Sequence, residues 1–200
     1  PTADFQDVKV IAWPVSADYE SNLLTSAQIR VSPQQPGGNL INTSSVMKLN
    51  QQENTIVDIT LKQASTARSL TIYPAKHRIL AECELQVKEA DDYRIVSKFE
   101  INRTNPGIGV GFEPYAPIVL SFPETNAEQF RIVFSRARPD AGIERIVLSS
   151  TPMIEQYAEK TYAKMFQTPL PYWHNYMWPQ QPDINDKSLI PSPDQVKDLS

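Results

Sequence analysis

Four aromatic residues crowd into a short stretch near the C-terminal end of this sequence, namely Tyr172, Trp173, Tyr176 and Trp178. Aromatic rings bind sugars, because the apolar face of a pyranose matches the surface of a π system. The interpretation that the sequence favours is simpler: the rings anchor this stretch onto the rest of the chain or onto a neighbouring domain. Trp13 is a second candidate sugar platform, but the interpretation that the sequence favours for Trp13 is a place in the core.

Carboxylates are the next candidates for chemistry. Glycoside hydrolysis needs two of them that face each other across a cleft. Glu82 and Glu84 lie on one face of a predicted strand, and that face points to solvent. Asp91 and Asp92 belong to a predicted turn. Neither pair has the required arrangement, so we predict no catalytic residue in this chain.

Metal ligands are sparse in the sequence. His77 and His174 are far apart and lack the spacing of a metal site or the partners of a catalytic triad, so we interpret both as surface or packing residues. A calcium ion is left open, because its oxygen ligands are often backbone carbonyls that a sequence does not reveal. Asp18, Asn22 and Asp58 are available as ligands, without the pattern of a calcium-binding loop.

The glycines at positions 107, 109 and 111 resemble a phosphate-binding loop only in composition. The P-loop lysine and hydroxyl residue are absent, the spacing is not that of a dinucleotide fingerprint, and no long helix follows. This stretch is therefore interpreted as a bend between strands. The single cysteine, Cys83, excludes both an intrachain disulfide and a zinc site built from cysteines.

The bulk composition excludes several classes of protein. The chain has 200 residues and a formal net charge of −4, with no basic stripe, so we expect no binding to nucleic acid. No apolar run approaches the roughly 18 residues of a membrane-spanning helix. The sequence begins with proline rather than methionine, and we expect it to be a segment of a longer protein.

Short alternating segments dominate residues 55–150 and predict an antiparallel β-sandwich. Phe130, Ile132 and Phe134 are expected to point inward along one of the strands. The turn at 122–125 is expected to end the strand before it. The predicted strands cover residues 7–13, 55–61, 67–73, 81–87, 93–101, 117–122, 127–135 and 142–150.

Two of these segments, 81–87 and 93–101, are expected to form a hairpin around the turn at 89–92. In the first, Ala81, Cys83, Leu85 and Val87 alternate inward. In the second, Tyr93, Ile95, Phe99 and Ile101 are expected to share one face.

After residue 150, the spacing of the apolar residues changes from that of a strand to that of a helix. Thr151 and Pro152 offer a cap and a first helical position, and apolar residues then recur at helical spacing. We therefore divide the chain into a β-sandwich domain (1–150), an amphipathic helix (151–166) and an extended tail rich in proline and aromatic residues (167–200).

Several segments resemble a known family. Residues 127–135 and 143–148 are similar to the closing strands of galactose-binding-like, or jelly-roll, domains. In their order along the chain, residues 4–14, 112–117, 122–125, 153–160 and 193–200 are similar to the β-sandwich of glycoside hydrolase family 106, the α-L-rhamnosidase-like proteins. The resemblance covers nearly the whole chain, although no single motif is diagnostic.

The resemblance implies a secreted or periplasmic enzyme that removes terminal L-rhamnose from plant polysaccharides by inversion, with acidic catalytic residues and a calcium ion. Those residues belong to a (β/α)8 barrel into which the β-sandwich is inserted. None of the family's catalytic carboxylates corresponds to a position in this chain.

We therefore predict a non-catalytic β-sandwich domain that braces the catalytic barrel of the same polypeptide and helps to line its glycan cleft. The alternative is an autonomous carbohydrate-binding module that uses the exposed aromatic residues. A protein–protein adhesion domain fits the fold equally, but no residue pattern supports it. If the tail docks on a barrel, its apolar side chains should be exposed in this chain.

Overall fold

The computed structural model describes residues 10–14, 22–35, 40–41, 45–104, 115–153, 187 and 190–199. These residues divide between two compact units, which comprise residues 20–182 and, together, residues 1–19 and 183–200. The described residues form nine β-strands and two short 3-10 helices, Leu23–Ser26 and Pro193–Gln195. The strands are β1 (Ile11–Ala12), β2 (Gln28–Ser32), β3 (Met47–Lys48), β4 (Thr55–Pro74), β5 (Ile79–Glu89), β6 (Asp92–Arg103), β7 (Ile118–Ser135), β8 (Gly142–Ser149) and β9 (Lys197–Asp198).

The long strand β4 joins the two layers of the larger unit. Its first half pairs with β2 on one side and with the second half of β7 on the other. Its second half, from Ser69 onward, pairs with β8 and with the first half of β7. One layer therefore has the strand order β6-β5-β7-β4-β2, the other has β7-β4-β8-β3, and every pairing is antiparallel.

The core lies between these layers. Phe130, Ile132 and Phe134 of β7 are completely buried, as their alternation predicts. They belong to the same apolar cluster as Leu70 of β4 and Leu148 of β8. Burial of each such side chain stabilises the fold by about 1.5–3 kcal/mol. The predicted antiparallel β-sandwich is thus confirmed.

Two pairs of predicted strands are each a single strand, so their predicted boundaries are wrong. Segments 55–61 and 67–73 both belong to β4, and segments 117–122 and 127–135 both belong to β7. The pairing of β4 with β7 shifts register between Thr60 and Ser65 and again between Ala67 and Ser69. Pro123 lies at the second of these shifts, where residues 122–124 have no register partner on β4. Its lack of an N–H therefore removes no regular hydrogen bond between the strands. The turn residues therefore bend a continuous strand instead of ending it.

The predicted hairpin of β5 and β6 is confirmed, but the predicted face of β6 is wrong in part. Leu85 lies opposite Ser97, whereas Gln86 lies opposite Ile95, so Val96 is the extra residue of a β-bulge. The bulge reverses the side on which the following residues lie. Phe99 and Ile101 pack on the core, whereas Ile95 faces outward and is 40% exposed.

The predicted strand at 7–13 is described only from residue 10 onward, where Ile11 and Ala12 pair with Asp198 and Lys197 of β9. The helix predicted at 151–166 lies outside the described residues, except for 151–153. The division of the chain at positions 150 and 166 therefore stays a prediction.

Candidate functional site

The sequence-predicted sugar-binding residues fall into two groups. Tyr172, Trp173, Tyr176 and Trp178 lie outside the described residues, and their role stays a prediction. Trp13 is described and is 48% exposed, so its interpretation as a core residue is wrong. Its ring is therefore available to a ligand or to another protein surface.

Trp13 belongs to a surface that we call the terminal ribbon, formed by residues 10–14 and 190–199. The backbone N–H of Leu199 donates a hydrogen bond of 2.8 Å to the carbonyl oxygen of Val10, next to the pairing of β1 with β9. Val10, Ile11, Ile190 and Leu199 are all exposed large apolar residues. For Ile190 and Leu199 this agrees with the exposure expected of the tail. Together with Trp13, the ribbon thus holds five of the eight exposed large apolar residues in the described part of the chain.

A second surface is the outer side of the larger layer, which we call the outer sheet face. The register of the five strands places one residue from each strand in a row across the sheet. Each lies between residues that point toward the core, so the row faces away from it. In order across the sheet, the row contains Arg30, Asp58, Arg131, Gln86 and Ile95.

Arg131 is held in one orientation by two neighbours. Its Nε atom donates a hydrogen bond of 2.7 Å to Oδ1 of Asp58, and its guanidinium carbon lies 3.8 Å from the centre of the Tyr93 ring. The side chains of Arg131 and Asp58 are 28% and 32% exposed, so the pair is partly shielded but open to solvent. Stacking on an aromatic ring and ion pairing both restrict the plane of a guanidinium group.

Glu84 lies in the row next to that of Arg131 and contacts one side chain in each of the two rows. Nζ of Lys98 lies 2.8 Å from its Oε1 atom, and Nε2 of Gln86 donates a hydrogen bond of 2.8 Å to its Oε2 atom. The hydrogen bond from Lys98 is the main reason why the pKa of Glu84 is lowered, and the bond from Gln86 adds to it. Glu84 therefore stays ionised and fixes the Gln86 amide beside Arg131.

Among the described residues, the candidate catalytic and metal-binding side chains are not brought together. Glu82 and Glu84 both lie on the outer side of β5, as predicted, and each is paired with a cation across the sheet. Asn22 caps the 3-10 helix by accepting a hydrogen bond from the Leu24 N–H, and Asp58 is occupied by Arg131. Within the described ranges, no three histidine, cysteine or carboxylate side chains are grouped as metal ligands. Asp18, His174 and the glycine-rich stretch at 107–111 lie outside those ranges. The calcium site that the sequence leaves open is therefore untested.

None of the helices in the described part of the chain has the length and apolar character needed to cross a bilayer.

Comparison with known proteins identifies the fold but not a family. No family model matches the sequence, and no curated protein is similar to it. Among solved structures, the carbohydrate-binding module CpGH89CBM32-5 from Clostridium perfringens, in complex with GalNAc-β-1,3-galactose, is similar with a TM-score of 0.50 and 13% identity. The similarity covers 64% of this chain and 99% of that module.

SpGH29 is a second similar structure, with a TM-score of 0.51 and 13% identity over 66% of this chain. In that case the matched region is only 28% of the other protein. At these identities the comparisons establish a galactose-binding-like β-sandwich, which confirms the predicted fold class. The more specific resemblance to glycoside hydrolase family 106 stays a prediction.

Proposed function

We propose that this chain is a non-catalytic, glycan-binding domain of a glycoside hydrolase. The observation that carries the proposal is the pair of structural similarities. The same sandwich forms nearly all of a module that binds GalNAc-β-1,3-galactose and a minor part of SpGH29. A domain of this architecture therefore occurs both as a glycan-binding module and as a part of a larger protein.

The resemblance of several segments to glycoside hydrolase family 106 supports an α-L-rhamnosidase-like parent enzyme, whose catalytic residues would lie in a barrel outside this chain. On this proposal the parent protein acts on plant-type polysaccharides in an extracytoplasmic compartment, either periplasmic or secreted. Calcium belongs to the same proposal through the family resemblance alone.

A second candidate function is bracing of the barrel without any glycan binding by this chain. It is favoured by the terminal ribbon, where Ile11, Trp13 and Leu199 are each about half exposed or more. Exposed apolar surface of this kind often marks a contact with another domain or protein. In this role Trp13 would pack against the barrel rather than against a sugar.

A glycan array followed by calorimetric titration of the 200-residue chain distinguishes the two functions. Glycan binding requires a ligand with millimolar or tighter affinity, and bracing requires none. Trp13→Ala then tests the ribbon as a binding platform, with Ile190→Ala as a matched control on the same surface. Turnover of aryl rhamnosides by the isolated chain would contradict the non-catalytic assignment.

A further inference from the structure

The terminal nitrogen atoms of Arg131 have no partner among the described residues, although the rest of its guanidinium group is fixed. Asp58 accepts a hydrogen bond from Nε, and Tyr93 covers one face of the group. Nη1 and Nη2, which form the outer edge of the group, donate no hydrogen bond within the described ranges. A fixed guanidinium edge with free N–H donors matches the two oxygens of a carboxylate, which it binds through parallel hydrogen bonds.

The surroundings of this edge carry more positive than negative charge. Arg30 lies next to Asp58 in the same row and has no ion-pair partner in the described part of the chain. Lys88 lies opposite Tyr93, and Lys98 lies opposite Glu84. In the row of Arg131 and the two rows beside it, four cationic side chains thus accompany two carboxylates, Asp58 and Glu84, whereas the formal net charge of the chain is −4. A local excess of this sign on an acidic protein attracts an anionic ligand.

Two side chains beside Arg131 can form hydrogen bonds with the hydroxyl groups of a ligand. Nε2 of Gln86 is used by Glu84, and its Oε1 atom accepts no hydrogen bond from the described residues. The hydroxyl group of Tyr93 likewise has no hydrogen-bond partner among them. An acceptor and a hydroxyl beside a carboxylate-binding fork fit a sugar that carries both hydroxyl groups and an acid.

We propose that the outer sheet face binds an acidic sugar of the uronate type, whose carboxylate is held by Nη1 and Nη2 of Arg131. Arg30 is the second cationic contact, at a distance of about two strand spacings, or roughly 10 Å. The inference rests on the proposed glycan-binding function, and it names both the ligand class and the surface. A purely structural role for the Arg131–Asp58 pair accounts for the Nε bond but leaves the free edge and the unpaired Arg30 unexplained.

The test is calorimetric titration of the full chain with oligomers of galacturonate, glucuronate and mannuronate, each compared with its methyl ester. The ester keeps the sugar and removes the charge. We expect at least one acidic oligomer to bind about tenfold more tightly than its ester, and this affinity to fall as NaCl is raised. Arg131→Gln should weaken binding at least tenfold and Arg30→Gln severalfold.

Arg136→Gln is the matched control, because Arg136 is paired with Glu82 on the same layer and its side chain is 79% exposed. It should bind like the wild type. Circular dichroism and thermal unfolding verify that each variant is folded, and Arg30, which has no described partner, can be replaced without breaking an ion pair.

The outcomes separate this inference from the proposed function. Binding of neutral glycans alone, lost in Trp13→Ala, would support glycan binding but overturn the sheet-face site. Acidic binding that survives both Arg131→Gln and Arg30→Gln would overturn the site as well. Equal binding of polyglutamate would show recognition of a carboxylate without recognition of a sugar, and would overturn the ligand class. Binding of no glycan at all would overturn both proposals.

Discussion

Cys83 illustrates how strongly the interior of the sandwich controls the chemistry of a single side chain. It lies on the inward side of β5 and is only 2% exposed. Burial is the main cause that raises the pKa of its thiol, because the charged thiolate loses its hydration. Its Sγ atom makes a long contact of 3.8 Å with the Ala81 carbonyl oxygen.

We therefore expect Cys83 to be unreactive in the native protein, because the thiolate is the reactive form and the side chain is inaccessible. Ellman's reagent at neutral pH should label no thiol in buffer and one thiol per chain in guanidinium chloride. The sequence has one cysteine, so the signal has a single source. Stoichiometric labelling of the folded chain within minutes would contradict the burial of Cys83.

The sequence predicts individual buried residues well where the alternation of a strand is regular, as for Cys83 and Phe130. It predicts the outer sheet face poorly. Asp58 and Arg131 become partners only through the register of β4 and β7, and Tyr93 reaches Arg131 only because the bulge at Val96 turns it outward. The strand β1, which ends next to Trp13, pairs with a segment at the opposite end of the sequence. None of these relations is visible in local periodicity.

Among the strands, the contact of β3 with β8 depends on a glycine. Gly142 lies opposite Lys48 and is buried. A Cβ atom at Gly142 would lie 2.5 Å from Cγ1 of Val46 and 3.3 Å from the Met47 carbonyl oxygen. The first contact is closer than van der Waals packing permits, so a side chain at this position would force Val46 to move.

Gly142→Ala should lower the free energy of unfolding by about 1–3 kcal/mol, as other overpacked sites do. Val46 is 46% exposed, so Val46→Ala alone should change stability by no more than about 0.5 kcal/mol. The double variant should recover part of the loss, because it removes the Val46 contact but keeps the Met47 contact.

Urea unfolding of the four proteins measures this coupling. Strictly additive effects would show that Val46 is not the obstacle. A destabilised Gly142→Ala whose slope with urea also changes would instead indicate that β3 has detached from β8.

Strand composition predicts which segments are extended but not where a strand ends. Pro123 normally indicates the end of a strand, yet β7 continues through it because the pairing with β4 is already interrupted there. The same interruption lets β4 and β7 pass from one layer to the other. Since both bends depend on contacts with a distant segment, the sequence predicts separate short strands where the fold has two long ones.

In the whole chain, the apolar core and the terminal ribbon belong to different compact units. Every described residue of the buried cluster lies between Leu23 and Leu148, within the unit of residues 20–182. The pairing of β1 with β9 involves only two residues on each strand, and a two-stranded sheet adds little stability by itself. The stability of the sandwich should therefore depend on its own core and not on the ribbon.

A shortened chain of residues 20–182 should thus fold, with the β-sheet circular dichroism of the full chain and a cooperative unfolding transition. Phe130→Ala provides the control, because Phe130 is completely buried and its truncation should cost about 3–5 kcal/mol. If the core is complete without the ribbon, this cost should be the same in the full and the shortened chain, since the side chain would lose the same neighbours. A shortened chain that binds hydrophobic dyes and unfolds without cooperativity would show that residues 1–19 or 183–200 are needed to complete the sandwich.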